Sequence, residues 1–306
     1  GYVNGQPILV TAQGTYRTMY LQGYNSDMSK RWEITIPEDG SARASHLCPI
    51  LDFNNDGVDE LFWGERLISL DDGHEVFCGD KGRYSGHSDI VLPFTDPETQ
   101  KKYIYTCRED YERPGEPRVI TYDADGERAW TAVEGSGHMH NGWLANIGPS
   151  CRKIAMAMRI NRVVIDNAIR DIEPEDFYFD AVTGEPLSCP LPFKGSEYMP
   201  VDFNGDNHHE FYAIGGADVG WVRNADGEFL AYLGGKQVRS GKLLTHPGEQ
   251  IMLFYPQDGT VRVWGDADAE EVSAFSKRYE IPYHSLMQHF MGTGYNHINS
   301  HISCGM

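Results

Sequence analysis

The sequence predicts an all-β protein, and three observations support this prediction. Helical periodicity is almost absent, and apolar runs of roughly four to eight residues alternate with turn signals along the chain. The 33 glycines and 16 prolines supply many turns. Asp-Gly hairpin signals recur at intervals of roughly 30 to 60 residues, the period of propeller blades. We therefore expect a β-propeller of about six to seven blades.

The hairpin signals divide the chain into six units. They lie at the dipeptides Asp72-Gly73, Asp125-Gly126, Thr183-Gly184, Asp226-Gly227 and Asp258-Gly259, with a weaker signal near Ser26-Asp27. The units span residues 2–36, 44–79, 86–134, 137–189, 195–234 and 236–270. Each unit is expected to form one small antiparallel sheet whose hairpin joins neighbouring strands.

A single domain, 1–306, accounts for this pattern. Segment 271–306 is expected to contribute further strands and to close the ring against the first unit, because closure removes the exposed sheet edges that template aggregation. Helix-like patterns are confined to Val163–Ile172 and Ala267–Phe275. An irregular pair of β-sandwiches is the alternative architecture.

The composition limits the partners. Lys and Arg number 26 against 45 Asp and Glu, which gives a net charge of −19. This charge argues against nucleic acid, and it disfavours a polyanionic substrate unless the site is locally positive or holds a metal. No run approaches ~18 apolar residues, so no membrane-spanning segment is expected. The chain begins at Gly1 without a Met or a leader, which indicates a mature, tagged or truncated form.

The cysteines are scattered singly, without a Cys-x-x-Cys pair, which argues against a metal cluster or a redox motif. Most lie in apolar runs, where a small buried free thiol is the default, and disulfides are not indicated. The six are Cys48, Cys78, Cys107, Cys151, Cys189 and Cys304.

An acidic loop of nine residues, Asp52–Glu60, has the pattern of a cation site. Oxygen-bearing side chains stand at positions one, three, five and nine, and Gly57 at position six permits a bend with positive φ. Alternate residues of a tight loop point inward, so these side chains and the carbonyl at position seven can converge on Ca²⁺. The predicted ligands are Asp52, Asn54, Asp56, Val58 and Glu60. No helix precedes the loop and its closing acid stands at nine, so it is not an EF-hand.

A second loop, Asp202–Glu210, repeats the pattern with Asn207 at the bend, since Asn also tolerates the left-handed conformation. Its predicted calcium ligands are Asp202, Asn204, Asp206 and Glu210. A solvated acidic turn is the alternative for either loop, and the repetition favours the cation.

Histidines recur at one position of successive units. In a propeller, the residues just before each innermost strand meet near the axis on one face. The second to fourth units carry histidines there, and the later units carry Glu197-Tyr198 and the run from Lys236 to Arg239. The histidines are His46, His87, His138 and His140. A histidine that is merely hydrogen-bonded in a loop is the alternative for each, but the repeated position favours a shared site.

The C-terminal tail is the second informative region. Residues 279–301 are too rich in His, Tyr and Asn for a buried strand alone. Within them, Tyr283 and Tyr295 can serve the site or can be core aromatics with a tethered hydroxyl.

Taken together, these segments resemble the propeller-type rhamnogalacturonan lyases of polysaccharide lyase family eleven. The similarity runs in order over most of the chain, and each motif is weak by itself. The matching segments are Gly14–Thr18, Lys30-Arg31-Trp32, Ser45-His46 leading into Asp52–Glu60, Gly86-His87-Ser88-Asp89, Asp180–Glu185, Lys236 upstream of Glu249-Gln250, Arg278-Tyr279, Gly294-Tyr295-Asn296 and Gly305.

The resemblance implies a secreted, periplasmic or cell-surface lyase with calcium loops that cleaves a uronic-acid polysaccharide by β-elimination. For this reaction we expect His87 or His46 to be the base and Tyr295 the acid, and we expect Asp89 to orient a histidine or bind a metal. The expected carboxylate-binding groups are Lys236, Arg239 and Arg17, and the further substrate contacts are His138, His140 and Asn296.

This chain also departs from the family. Members are about twice as long, with earlier blades, eight in all, and an N-terminal domain. Residues 110–160 resemble an inserted unit, so His138 and His140 have no family counterpart. Glu197 stands near a position where the family tends to carry an arginine, which would weaken capture of a carboxylate.

Two other classes of function fit the sequence. The propeller can be a noncatalytic carbohydrate-binding or extracellular scaffold protein in which calcium only fixes the loops. It can also be a glycoside hydrolase, which needs a close carboxylate pair, for which Glu197 and Asp89 are the axial candidates.

Overall fold

The computed structural model describes residues 1–109, 116–134, 138–148, 150, 152–160, 162–165, 168–171 and 173–280. The prediction of an all-β chain is confirmed, because the described residues form 25 β-strands and a single α-helix. The strands form six antiparallel sheets of three or four strands and one separate two-stranded hairpin. Each of the six sheets falls inside one predicted unit. The chain divides after Met139 into two compact units.

The first sheet is a four-stranded meander in which neighbours in sequence are neighbours in space. Its strands are β1 (Tyr2–Val3), β2 (Gln6–Gln13), β3 (Met19–Asn25) and β4 (Lys30–Ile36). Met19 and Leu21 of β3 are fully buried, as the period of two residues on a half-buried strand requires. Gly14 turns the chain between β2 and β3 with φ +92°, and a Cβ there would lie 2.1 Å from the Thr18 carbonyl oxygen.

The second sheet packs against the first through a shared apolar core. Its strands are β5 (Ile50–Leu51), β6 (Glu60–Trp63), β7 (Arg66–Ser69) and β8 (Glu75–Cys78). Every residue of β6 and β7 is buried, and Leu61 and Ile68 join the core of the first sheet. The indole of Trp32 donates to the Leu70 carbonyl at 2.8 Å, which ties the two sheets together.

The third sheet is joined to the second by a buried ion pair. Its strands are β9 (Ser88–Thr95), β10 (Lys102–Arg108), β11 (Val119–Asp123) and β12 (Arg128–Ala132). The guanidinium of Arg108 donates to both oxygens of Glu65, at 2.8 and 2.6 Å, and also to Asp80. The hydroxyl of Ser88 donates to the same carboxylate of Glu65 at 2.7 Å, and this hydrogen bond fixes the start of β9.

The fourth sheet contains the boundary between the units. Its strands are β13 (His138–Ile147), β14 (Arg152–Ile160), β17 (Glu175–Asp180) and β18 (Pro186–Leu187). A hairpin of β15 (Arg162–Ile165) and β16 (Ala168–Asp171) stands apart from it. The prediction of a helix-like segment at Val163–Ile172 is therefore wrong. Its run of β-branched residues favours strands and crowds a helix.

The last two sheets repeat the same arrangement. The fifth has β19 (Tyr198–Val201), β20 (Glu210–Ala213), β21 (Trp221–Arg223) and β22 (Phe229–Tyr232), preceded by a 3₁₀ turn at Gly195–Glu197. The sixth has β23 (Lys236–Gly241), β24 (Gln250–Tyr255) and β25 (Thr260–Trp264). In every one of the six sheets, the predicted hairpin dipeptide lies between two adjacent strands.

The start of the tail is helical. The helix α1 spans Ser273–Glu280, whereas further strands were expected from residue 271 onward. Of the predicted helix-like stretch Ala267–Phe275, only the last residues belong to α1. Buried Arg278 anchors the helix through ion pairs with Asp202 at 2.9 Å and Glu249 at 3.2 Å. The proposed ring-closing part beyond residue 280 lies outside the described residues.

Two other expectations concern the cysteines and membranes. Four cysteines are free thiols, with Cys107 buried and Cys189 exposed among them. Cys151 and Cys304 lie outside the described residues. A search of the described part of the chain finds no helix with the length and apolar character that crossing a membrane demands.

Candidate active site

Three of the predicted histidines come together in the first unit. A parallel bridge between Ser45 and Ser88 places His46 beside the start of β9, where His87 directly precedes the strand. The backbone N–H of Arg43 donates to the Gly86 carbonyl at 2.8 Å and holds the two segments in register. His138 is the first residue of β13.

The carboxylate of Asp89 stands between these histidines. One of its oxygens, Oδ1, lies 3.3 Å from Nε2 of His87 and 3.8 Å from Nε2 of His46. The other, Oδ2, makes a hydrogen bond of 3.1 Å with Nε2 of His138. Each carboxylate oxygen therefore faces a different part of the site.

A second carboxylate, that of Glu109, closes the group. Its backbone N–H donates to the His87 carbonyl at 2.8 Å. Its side chain lies 3.4 Å from Nδ1 of His138 and 3.8 Å from Nε2 of His87. The histidine cluster, as we name it, consists of His46, His87, Asp89, Glu109 and His138. Glu109 was not predicted as a site residue, and the only available signal was its position directly after β10.

The side chains of the histidine cluster become more exposed from Asp89 in the interior to His46 near the surface. Asp89 is fully buried, and His138 and His87 are 1% and 5% exposed. His46 is half-buried. Although His87 is buried, neither of its ring nitrogens has a hydrogen-bond partner among the described residues. A buried imidazole without hydrogen bonds is costly, and such groups mark sites with a chemical role.

Tyr16 stands at the exposed edge of the cluster. Its hydroxyl lies 3.4 Å from Nε2 of His46, and its ring centroid lies 4.8 Å from that of His87. Partial burial, followed by the negative charges of Glu109 and Asp89, raises the pKa of Tyr16. The hydroxyl therefore keeps its proton at neutral pH. Tyr16 lies inside the predicted Gly14–Thr18 motif, but no role was predicted for it. Its position beside Arg17 was the available signal.

The predicted carboxylate-binding groups fall in both units. Arg17 is exposed, next to Tyr16, and has no hydrogen bond or ion pair with any described residue. Lys236 is exposed at the start of β23, whereas Arg239 on the same strand is buried, and burial lowers its pKa. Both belong to the second unit, as does His140. The predicted acid Tyr295 and the predicted contact Asn296 lie outside the described residues.

The first acidic loop is held by its own side chains. Asp52 accepts from the backbone N–H of Asp56 and of Gly57, at 3.0 and 2.9 Å. Asn54 donates to both Asp56 and Glu60, at 3.0 and 3.1 Å, so these oxygens converge. Gly57 has the expected left-handed conformation, with φ +87°.

The second acidic loop repeats this pattern. Asn204 donates to Asp206 and Glu210, each at 3.2 Å, and Asn207 bends the chain with φ +70°. One difference is that the Asp202 carboxylate accepts a hydrogen bond from the guanidinium of Arg278. The second loop therefore has a guanidinium beside its position-one carboxylate, whereas in the first loop both oxygens of Asp52 accept from backbone N–H groups.

The closing carboxylates of both loops carry shifted pKa values. Burial, with the neighbouring Asp56, Asp52 and Asp59 adding repulsion, raises the pKa of Glu60 to about 7. Burial and the charge of Asp202 raise the pKa of Glu210 to about 8. Carboxyl groups that resist ionisation in this way are those that a bound cation would stabilise.

A third loop of the same length, which was not predicted, lies in the sixth sheet. Lys242–Gln250 joins β23 to β24 as the acidic loops join the first two strands of their sheets. Its position nine is Gln250, whose side chain accepts from the Leu243 N–H at 2.9 Å, as Glu60 accepts from Phe53 at 2.8 Å. The signal was the spacing of Lys to Gln, eight residues apart like Asp to Glu.

Position one of the third loop carries a positive charge of its own. The ammonium of Lys242 donates to the carbonyls of His246, at 2.5 Å, and Gly248, at 3.3 Å, and it pairs with Glu271. Here an amino group binds the backbone oxygens of the loop. The acidic loops have no lysine at this position.

Three solved structures are similar to the chain. The exotype rhamnogalacturonan lyase YesX is 20% identical, with a TM-score of 0.63 over 85% of this chain and 44% of its own. The Bacillus licheniformis rhamnogalacturonan lyase PL11 is 18% identical, with a TM-score of 0.68 over 95% of this chain and 48% of its own. The rhamnogalacturonan lyase YesW is 17% identical, with a TM-score of 0.68 over 98% and 50%.

The resemblance to rhamnogalacturonan lyases that the sequence motifs indicate is confirmed, and at these identities it is the fold that is shared. The chain spans about half the length of these enzymes. No family model matches the chain, and neither does any curated protein.

Proposed function

We propose that the chain is a calcium-stabilised β-propeller of six to seven blades, a divergent relative of the rhamnogalacturonan lyases. We propose further that it cleaves a uronic-acid-containing polysaccharide by β-elimination. The observation that carries this proposal is the histidine cluster, in which three imidazoles and two carboxylates meet beside an exposed tyrosine. The shared fold supports the same conclusion, because the similar structures are rhamnogalacturonan lyases.

β-Elimination has three chemical requirements. The C5 proton beside the uronate carboxylate is weakly acidic, so a positive charge must first neutralise that carboxylate. A base then removes the proton, and its electron pair forms the C4–C5 double bond. The C4–O bond breaks, and an acid protonates the departing oxygen.

The first unit offers a group for each requirement. His46 is the base, because its imidazole is half-buried and its Nε2 faces the Tyr16 hydroxyl at 3.4 Å. Asp89, 3.8 Å from the same nitrogen, stabilises the imidazolium that forms. Tyr16 is the acid, because its hydroxyl stands at the exposed edge of the histidine cluster and carries a proton at neutral pH. Arg17 neutralises the substrate carboxylate.

The acidic loops are proposed to bind Ca²⁺ for structural reasons. Their oxygens converge, and the third loop, which has no acidic residue at positions one, three, five and nine, carries the ammonium of Lys242 at position one instead. Hard oxygen ligands suit calcium. A calcium ion in Asp52–Glu60 would fix the segment between the Ser45 bridge and β6 and so position His46.

The substrate class also bears on location. Uronic-acid polysaccharides are polymers that lie outside cells, so we propose that the protein acts as a secreted, periplasmic or cell-surface protein. Its net charge of −19 disfavours such a substrate over most of the surface, and Arg17 supplies local positive charge.

The test is a screen of pectic, ulvan-like and glucuronate-bearing polysaccharides with calcium present and then chelated. The expected product carries the C4–C5 double bond and absorbs in the ultraviolet. Tyr16→Phe should lower kcat about 100-fold or more and change KM little, because it removes the acid but not the binding surface.

Three results would count against the proposal. New reducing ends without ultraviolet absorbance would make the chain a hydrolase. Binding without cleavage of any polymer would make it a noncatalytic carbohydrate-binding protein. Full activity in Tyr16→Phe would remove the assigned acid.

A further inference from the structure

We propose that the histidine cluster binds one divalent transition metal ion of the zinc class through His46, His87 and Asp89. The proposal concerns binding alone and does not depend on lyase activity. The three groups each offer one ligand atom, and these atoms lie within 4.8 Å of one another.

The spacing of these atoms suits a metal. Ligands at ~2.0–2.1 Å from a tetrahedral ion are about 3.3–3.4 Å apart. Nε2 of His87 lies 3.3 Å from Oδ1 of Asp89, and Nε2 of His46 lies 3.8 Å from the same oxygen. A shift of a few tenths of an ångström in half-buried His46 brings its Nε2 within this distance of the Asp89 oxygen.

His87 supplies the second observation. It is 5% exposed, yet no described residue forms a hydrogen bond with either of its ring nitrogens. Its backbone carbonyl accepts from Tyr84 and from Glu109, which fixes the residue in place. An ion at Nε2 would satisfy a nitrogen that is otherwise buried at a cost.

The surrounding groups orient the ligands. His138 binds Oδ2 of Asp89 at 3.1 Å and so leaves Oδ1 turned toward His87 and His46. The other nitrogen of His138 lies 3.4 Å from Glu109. Outer partners of this kind fix the ligand geometry in metal sites.

The donor set selects the class of ion. Two imidazole nitrogens and one carboxylate oxygen suit zinc, cobalt, nickel or iron, whereas calcium prefers oxygen ligands alone. Three protein ligands also leave a coordination position open toward the exposed side at Tyr16. The histidine cluster and the acidic loops should therefore bind different ions.

Calorimetric titration with ZnCl₂ of the whole chain in calcium buffer tests the proposal. We expect about one zinc ion per chain. His87→Ala and Asp89→Asn should abolish binding, and His138→Ala should weaken it about 10–100-fold. The control is His74→Ala, because His74 is an exposed histidine paired with Asp72. Binding that survives His87→Ala, or its absence from the wild type, would overturn the proposal.

Cobalt provides a test that needs no variant. Co²⁺ in the wild-type chain should give the intense visible spectrum of a four- or five-coordinate site with nitrogen and oxygen ligands. A pale octahedral spectrum, or the ultraviolet band of thiolate ligation, would overturn the assignment.

Metal binding and proton abstraction use the same nitrogen of His46. A lone pair bound to an ion cannot accept a proton, so zinc should inhibit polymer cleavage and a chelator should restore it. Cleavage that continues unchanged while zinc is bound would show that the ion does not lie on His46.

Discussion

The acidic loop Asp52–Glu60 and the histidine cluster belong to the same unit and both bring carboxylates together, yet the side chains of the two regions make different contacts. In the loop, the side chains bind the backbone of the loop itself, as Asp52 does with Asp56 and Gly57. In the cluster, the side chains face one another, and the ring nitrogens of His87 make no hydrogen bond with a described residue. Groups that hold a turn stabilise the fold, whereas groups that face one another remain available for chemistry.

The third loop extends this comparison. Lys242–Gln250 keeps the hydrogen bond from position two to position nine, but it carries an ammonium in place of the acidic side chains. In the first acidic loop the ammonium of Lys102 donates to the Asp52 carbonyl at 2.6 Å. In the second, Arg278 donates to the Asp202 carboxylate at 2.9 Å, so each of the three loops has a protein cation beside position one. We therefore interpret the loop pattern as a feature that stabilises the fold, and we assign the chemistry to the histidine cluster.

The largest expected effect is the loss of kcat on substitution of a residue in the histidine cluster. His46→Ala should lower kcat about 10²–10⁴-fold, because it removes the general base. Ultraviolet detection of the unsaturated product gives the rate, and His74→Ala is the matched control. A rate within a few-fold of wild type would place the chemistry elsewhere.

The next effect concerns the third loop. Lys242→Met should lower the free energy of unfolding by about 1–2 kcal/mol, since it leaves the half-exposed Glu271 and two carbonyls without their cation. Denaturant titration measures the loss. The loop lacks acidic ligands, so calcium should not restore the stability; restoration by calcium would show that the third loop resembles the others.

Glu60→Gln converts position nine of the first loop into that of the third. The amide retains an oxygen for the Phe53 N–H, so the chain should fold, but calcium affinity should fall by about tenfold or more because a charged ligand is lost. Calorimetric titration with calcium reads the change. Unaltered affinity would indicate that calcium binds elsewhere or only as a counterion.

The smallest effect is a pH dependence. The pKa values of Glu60, about 7, and Glu210, about 8, lie above the ~4.3 of an unfolded glutamate. At pH values between the unfolded and folded pKa, the folded chain holds protons that the unfolded chain has released. Without calcium, the free energy of unfolding should therefore fall as the pH rises from about 5 to about 8.

Calcium competes with those protons. The rise in Tm on adding calcium should therefore grow across the same pH range. Thermal unfolding with calcium and with chelator, at several pH values, checks this; a calcium effect that shrinks with rising pH would contradict the assignment of these carboxylates as ligands.

The sequence predicted much of the fold because the relevant signals are local. Hairpin dipeptides such as Asp125-Gly126 and the bend at Gly57 depend on φ > 0, which few residues tolerate. The helix-like pattern at Val163–Ile172 was wrong because β-branched residues weigh more than a short apolar period. The helix α1 was placed too early because its anchor, Arg278, binds residues far away in sequence.

The site was harder to predict from the sequence. The repeated position of His46 and His87 was visible in the sequence, since it follows from the unit period. Glu109 and Tyr16 were missed because only tertiary structure brings them to the histidines. Lys242 was not predicted because the predicted loop pattern required acidic residues, whereas the three loops share only their spacing and the hydrogen bond from position two to position nine.

The central claim is that the histidine cluster performs the chemistry and the acidic loops support the fold. One assay tests it most directly: the rate of unsaturated product from a uronic-acid polymer, measured in parallel for wild type, His46→Ala and Glu60→Gln below the Tm of each. At calcium concentrations that saturate every variant, we expect a rate near wild type for Glu60→Gln and a loss of about 10²-fold or more for His46→Ala. Loss of activity in Glu60→Gln with retention in His46→Ala would contradict it.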